Sequence, residues 1–186
     1  MISLATLEMI ACRNFESALI NAPASRAWSI VRKLDFAQLN PTLVKSCCLL
    51  VPTASMPESS PLVGKILKLE DSDYHDVPIS DAFPFMCASA LGSLRHVLYK
   101  DGAEFVFRVI EISDVKDFIT FELIQTDSTV NVSGMQHTIQ VIEITETKQC
   151  VITWTTEFSS DIDQHVYSDS KYKKLDAFKD IRKALE

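Results

Sequence analysis

Glycine is scarce in this chain, with four residues in 186, and none of them builds a phosphate-cradling loop. A nucleotide site of that kind is therefore not expected, and no cofactor is implied. Positive charge is also short. Eighteen Lys and Arg face 25 Asp and Glu, a formal net charge of −7. Such a surface repels phosphate backbones and anionic membranes, so nucleic acid is not an expected partner. No apolar run approaches the roughly 18 residues of a membrane span, and no integral membrane association is expected. The stretch Met1–Cys12 is mildly apolar, but it lacks a basic start and Glu8 interrupts it, unlike a signal peptide. The five cysteines, Cys12, Cys47, Cys48, Cys87 and Cys150, are odd in number and show no C-x-x-C spacing. They read as reduced thiols, which points to a cytoplasmic location. The sequon Asn131-Val132-Ser133 then carries no sugar.

What is present is an ordinary globular balance, 47% hydrophobic and 23% charged, at a length that suits one domain over residues 1–186. Arg13 to Ile20 reads as a first strand, with Phe15, Ser17 and Leu19 on one face. Pro23 suits the first turn of a helix whose apolar stripe runs through Ala27, Trp28, Ile30, Val31 and Leu34. Asp35 to Thr42 looks like a second short helix or turn, followed by a strand from about Leu43 to Val51. Pro52 to Pro61 is a loop rich in proline and serine, and Val63 to Leu69 is a candidate strand. From Asp71 to Leu91 the pattern weakens into an irregular insertion. Alternation returns at Leu94–Tyr99, Glu104–Ile112, Phe118–Gln125, Val130–Glu143 and Cys150–Phe158, separated by short polar turns. These strands make an antiparallel meander. A last helix, capped by Ser168 or Ser170, is expected to reach Leu185. Its apolar stripe is Tyr172, Leu175, Phe178, Ile181 and Leu185, with its lysines and aspartates in water. The sum is an α+β domain in which the helix covers one face of the meander.

Three segments carry a family resemblance. Ile20-Asn21-Ala22-Pro23-Ala24, with Ala27-Trp28 and Leu34-Asp35-Phe36, resembles the opening segment of the START-like superfamily, also called SRPBCC or helix-grip. Gly92-Ser93-Leu94-Arg95-His96-Val97, then Asp101-Gly102, is similar to that group's G-S-x-R strand and turn. Val151-Ile152-Thr153-Trp154, Phe158 and the helix Lys173–Leu185 resemble its last strand and closing helix. The likeness covers most of residues 13–186 and includes the polyketide cyclase/dehydrase-like proteins. It implies a helix-grip fold: two short helices after the first strand, and a curved antiparallel sheet of about seven strands wrapped around a long C-terminal helix, enclosing a cavity. Members bind or transform lipids, sterols, polyketides and plant hormones, and some assist chaperones. Two features depart from the pattern. Residues 52–91 are longer than usual, an atypical insertion that reads either as a lid or as packed structure. The S-G-L-P gate loop of the plant hormone receptors is replaced by Lys100-Asp101-Gly102-Ala103-Glu104, which argues against their gated mechanism.

Strand alternation sorts the inward candidates. If Arg95 points inward, as the resemblance implies, so do Val97 and Tyr99. Phe105 and Phe107 share a face, followed by Phe121, then Ser133, Met135 and His137, then Trp154; Phe178 comes from the helix. A mostly apolar set with a few polar groups suits either a small-molecule pocket or a solid core. Arg95 has three readings: a donor to a ligand carboxylate or hydroxyl, the partner of a carboxylate such as Glu111 or Glu122, or a side chain that snorkels to solvent. His137 is a general base only with a partner that fixes its tautomer. His75, His96 and His165 lie on loops or the opposite face, so no metal triad is expected. Cys87 and Cys150 have no case as nucleophiles, and Asp161 and Asp163 read as solvated surface. The expected function is a binding or carrier protein for a small hydrophobic ligand (lipid, sterol or polyketide-like). A cyclase/dehydratase-type enzyme using Arg95, Tyr99 or His137 is the alternative, and a co-chaperone or interaction module a third. No catalytic residue is assigned, and the oligomeric state is open.

Overall fold

The short polar turns after Tyr99, Ser113 and Ile144 leave successive strands no choice but to fold back on one another. A computed structural model of the chain describes residues 12–52, 74–79, 91–126 and 134–186. Its elements run β1 (Arg13–Ile20), α1 (Ala24–Val31), α2 (Phe36–Leu39), β2 (Val44–Pro52), β3 (Tyr74–Pro78), β4 (Leu94–Tyr99), β5 (Glu104–Ser113), β6 (Phe118–Thr126), β7 (Met135–Ile144), β8 (Gln149–Phe158) and α3 (Gln164–Leu185). The strands form one open, eight-stranded antiparallel sheet in the order β1-β8-β7-β6-β5-β4-β2-β3. This is the expected helix-grip architecture with one more strand. The additional strand is β3, inside the stretch read as irregular. Among the described residues it lies outermost, beyond β2, and it ends at Pro78. The candidate strand Val63–Leu69, most of the proposed lid, Cys87 and Ser133 lie outside the described residues.

Curvature has a local cause. The β5–β6 pairing slips twice, between Val106 and Phe107 and between Val109 and Glu111. Each extra residue bends the strand and raises its twist. The concave face gathers Ala18, Ile20, Ile152, Val141, Ile139, Ile119, Phe121, Phe107, Val109 and Val97, all buried. On β1 the inward residues are Asn14, Ala18 and Ile20, whereas Phe15 and Leu19 stand half in water on the convex face, 54% and 50% exposed. Leu19 pairs with Val151, and Val151 with the exposed Ile142, so an apolar row crosses the outside of three strands.

Two corrections concern α3. It starts at Gln164, not after Ser168, because Asp163 caps it: the Asp163 carboxylate accepts the Val166 N–H at 2.8 Å. A carboxylate at an N-terminus also meets the helix dipole favourably, so Asp163 is a structural cap and not idle surface. The helix is also rotated from the expected phase. Val166, Ser170, Lys174, Ala177, Phe178, Ile181 and Leu185 face the sheet, while Tyr172 is 64% exposed. Lys174 is therefore buried and not in water. The phase was hidden because two of the inward positions, Ser170 and Lys174, are polar. None of the described helices is long and apolar enough to cross a membrane.

The short helices are tied down by polar contacts. Pro23 is the N-cap residue of α1, one position before the helix proper. Asp35 caps α2 by accepting from the Ala37 N–H at 3.0 Å. Asn40 donates to the Lys173 carbonyl of α3 at 3.2 Å, and Thr42 donates through its N–H and hydroxyl to the Asp180 carboxylate at 2.9 and 2.8 Å. Trp28 and Arg32 both donate to Asp114, at 3.0 and 2.6 Å, which fixes α1 to the β5–β6 turn. The revised start of α3 is testable. Asp163→Ala is expected to lower the free energy of unfolding by about 1 kcal/mol in urea titrations. Ser168→Ala is expected to change it by less than about 0.5 kcal/mol. A larger loss from Ser168→Ala would return the cap to the serine.

Candidate functional site

The C-terminal half of α3 packs solidly on the sheet through Ala177, Phe178, Ile181 and Leu185. Its N-terminal half does not close the same distance. There the helix presents Ser170, Lys173 and Lys174, and a cavity of about 100 Å³ remains beneath it. The sheet contributes Tyr99, Phe105, Phe107, Phe121, Met135, His137 and Trp154 to the wall, and α2 with its flank contributes Phe36 and Asn40. The helix contributes His165, Val166, Asp169, Ser170, Lys173 and Lys174. A wider surface depression of about 520 Å³ shares Tyr99, Asp169 and Lys173 with the cavity and opens to solvent beside Leu43, Lys100 and Tyr172.

Of the residues expected from strand alternation, the structure brings Tyr99, Phe105, Phe107, Phe121, Met135, His137 and Trp154 together. It does not bring Arg95, Val97 or Phe178 to the cavity wall. Val97 and Phe178 are core, Phe178 with its ring 6.4 Å from that of Trp154. Arg95 is fully buried on the inner face, but two pleats before Tyr99 and away from the cavity; it donates to the Leu94 carbonyl at 3.3 Å. Nor is Glu122 its partner, since Arg108 on the neighbouring strand takes that carboxylate. Of the acid–base candidates Arg95, Tyr99 and His137, the cavity wall holds Tyr99 and His137 and not Arg95. The α3 residues were missed, because His165 was placed on a loop or the opposite face and the lysines in water. The available signal was the i, i+4 series Val166, Ser170, Lys174, Phe178.

His137 sits at the centre of the aromatic wall. Phe121 stacks on it at 4.9 Å between ring centres, and Phe107 and Trp154 meet it edge-on at 5.6 and 6.1 Å. Its Nδ1 lies 3.3 Å from the Trp154 indole nitrogen and 2.8 Å from the Thr156 hydroxyl. An indole N–H only donates, so Nδ1 must accept, and the neutral ring carries its proton on Nε2. Burial first, and the nearby Lys174 charge second, hold the imidazole well below its ordinary pKa, which keeps it neutral. The Nε2–H is buried and has no hydrogen-bond partner among the described residues.

Lys174 is 1% exposed, and its ammonium group donates to the Asn14 side-chain oxygen. Burial lowers its pKa from the ordinary 10.5 to about 7, opposed by the charge of Glu16. The outer lysine differs. Lys173 pairs with Asp169 at 2.8 Å and lies over the Tyr99 ring at 4.3 Å. The Cys47 thiol, behind α2, is pushed up to about 12 by burial and is not a nucleophile at neutral pH. His96 stands on the convex face between Asp76 and Glu104, at 3.0 and 3.2 Å. Among the described residues no group of His, Cys, Asp and Glu is arranged to hold a metal ion.

No protein-family model matches the chain, and no curated protein matches it. Solved structures do. A structural-genomics protein from Nitrosospira multiformis is 16% identical with a TM-score of 0.61, over 94% of this chain and 96% of its own. An uncharacterised protein from Bacillus thuringiensis is 15% identical with a TM-score of 0.61, over 93% and 98%. The protein XoxI from Bacillus cereus is 15% identical with a TM-score of 0.62, over 93% and 94%. At this identity the likeness concerns the fold: a curved antiparallel sheet with a long C-terminal helix.

The buried lysine makes stability depend on pH in a fixed direction. The unfolded chain holds this proton up to pH 10.5 and the folded chain only to about 7, so folding is penalised at low pH and recovers between these values. The recovery is at most about 1.4 kcal/mol per pH unit. Lys174→Met is expected to be more stable than the parent at pH 7, with an advantage that shrinks as pH rises to 9. Urea unfolding of both proteins at pH 7, 8 and 9 checks this, and a difference constant across that range would refute it.

Proposed function

We propose that this protein is a binding protein for a small hydrophobic molecule, held in the cavity between α3 and the curved sheet. The observation that carries the reading is the aromatic wall. Phe36, Phe107, Phe121 and Trp154 surround a space of about 100 Å³ that the helix leaves unfilled. A solid core of this quality closes such gaps, since each unfilled methyl-sized void costs stability. The resemblance to START-like proteins, whose members bind lipids, sterols and polyketides, supports the same reading.

The volume narrows the ligand class. An apolar cavity of about 150 Å³ takes up benzene, and drug-sized ligands use about 300 Å³ or more. The cavity of about 100 Å³ is smaller than either, so a single ring or a short branched chain fills it only by extending into the open depression at Tyr99 and Lys173. Sterols and long acyl chains exceed it.

The test uses toluene and benzyl alcohol as probes in thermal unfolding and in protein-observed NMR. Both are expected to raise Tm with concentration; a ligand at 100 times its Kd adds about 2.7 kcal/mol. Shift changes are expected at Met135, His137 and Trp154. Ser170→Leu, which puts a larger side chain into the cavity, is expected to remove the response while the protein stays folded. No response from either probe, or an unchanged response in Ser170→Leu, would overturn the reading.

A further inference from the structure

The cavity described above carries two polar groups at one end that the protein leaves incompletely matched. The first is the His137 Nε2–H, buried without an acceptor among the described residues. The second is the Lys174 ammonium group, buried against the neutral Asn14 oxygen. An ammonium has three donors and a full charge, and one amide oxygen answers neither fully. No carboxylate pairs directly with Lys174 among the described residues, although the Glu16 charge is near enough to oppose the effect of burial. Asp169 is taken by Lys173 at 2.8 Å, and Glu16 lies 4.0 Å from Lys171.

Sheet register explains why these groups belong to one end. Asn14 of β1 pairs with Thr156 of β8, Thr156 pairs with His137 of β7, and His137 pairs with Phe121 of β6. A row therefore crosses the concave face from Lys174 and Asn14, through Thr156 and His137, into the aromatic wall. Its charge lies at one end, and its free donor sits where the row meets the aromatic wall. We propose that the cavity binds a small aromatic carboxylate, with a carboxylate oxygen accepting the His137 Nε2–H, the charge against Lys174 and the ring against Phe121 and Trp154. This rests on the binding reading given above and specifies its ligand. No covalent step is involved.

The same arrangement sets a pH dependence. The titratable groups whose charge couples to Lys174 are Glu16 from β1 and His137 from β7. His165, Asp169 and Lys173 share the cavity wall with it, and β8 and the flank of α2 offer Trp154 and Asn40, which do not titrate. Bound carboxylate holds the Lys174 proton that the free protein releases near pH 7, so affinity is greatest below that pH and falls as pH rises.

The experiment titrates the protein with benzoate, benzyl alcohol and benzylamine by calorimetry and NMR at pH 6.5 and 8.5. Benzoate is expected to bind about tenfold or more tighter than benzyl alcohol at pH 6.5, as a charge-assisted bond exceeds a neutral one. Benzylamine is expected to bind weakest. Benzoate affinity is expected to fall severalfold between pH 6.5 and 8.5. Lys174→Met is expected to remove both the preference and the pH dependence while retaining toluene binding. His137→Phe, a second variant that keeps a ring, is expected to weaken benzoate and benzyl alcohol but not toluene. Equal affinity for benzoate and benzyl alcohol, or an unchanged preference in Lys174→Met, would overturn this proposal and leave the hydrophobic-binding reading standing. Absence of binding by all the probes, toluene included, would overturn both.

Discussion

Everything in this molecule depends on how α3 covers the concave face of the sheet. The sheet must bury Ile20, Ile139, Ile152, Phe121 and their neighbours, and a long helix is the partner that can cover them. At the C-terminal half the fit is complete, because Ala177, Ile181 and Leu185 interlock with β1 and β8. At the N-terminal half the helix offers serine and lysine where apolar side chains would fill the gap, and the cavity remains there.

The electrostatics follow from the same geometry. A lysine on the inner stripe cannot reach water, so its charge is controlled by burial and by Asn14. A histidine in the middle of β7 cannot reach water either, and the indole of Trp154 decides which nitrogen holds its proton. Neither group is an accident of the surface. Replacing a buried cation by an apolar side chain of similar size commonly stabilises a protein, so Lys174 is a residue whose presence works against the stability of the free fold.

Most of the sheet was legible because alternation is a two-residue signal that short polar turns punctuate clearly. The strands Leu94–Tyr99, Glu104–Ser113, Phe118–Thr126 and Gln149–Phe158 appear within a residue of their expected bounds. Met135–Ile144 overlaps the expected Val130–Glu143, whose first four residues lie outside the described ones. Alternation also put His137, Trp154, Phe107 and Phe121 on one face. It does not encode depth along a strand, so Arg95 and Tyr99 looked equivalent although only Tyr99 reaches the cavity. The helix was harder. Hydrophobicity chose Tyr172 and Leu175 as inward, yet the series through Val166, Ser170 and Lys174 wins because the backbone there must stand off from the sheet. The strand Tyr74–Pro78 was hidden because it is short and polar, with little apolar face to display.

Beyond the main core there is a small satellite, Met135, Phe158, Ile162 and Val166, which anchors the first turn of α3 over the cavity. Those few apolar contacts and the Asp163 cap hold down the part of the helix that separates the cavity from solvent. Local opening energies follow local contact density, so this turn undocks more readily than the C-terminal half of α3, which packs on the main core. The cavity already meets the open depression at Tyr99, Asp169 and Lys173, so undocking of this turn would widen an existing mouth. For the ligand proposed above, the satellite then bears on entry and exit, and the wall and the polar row bear on how tightly it is held.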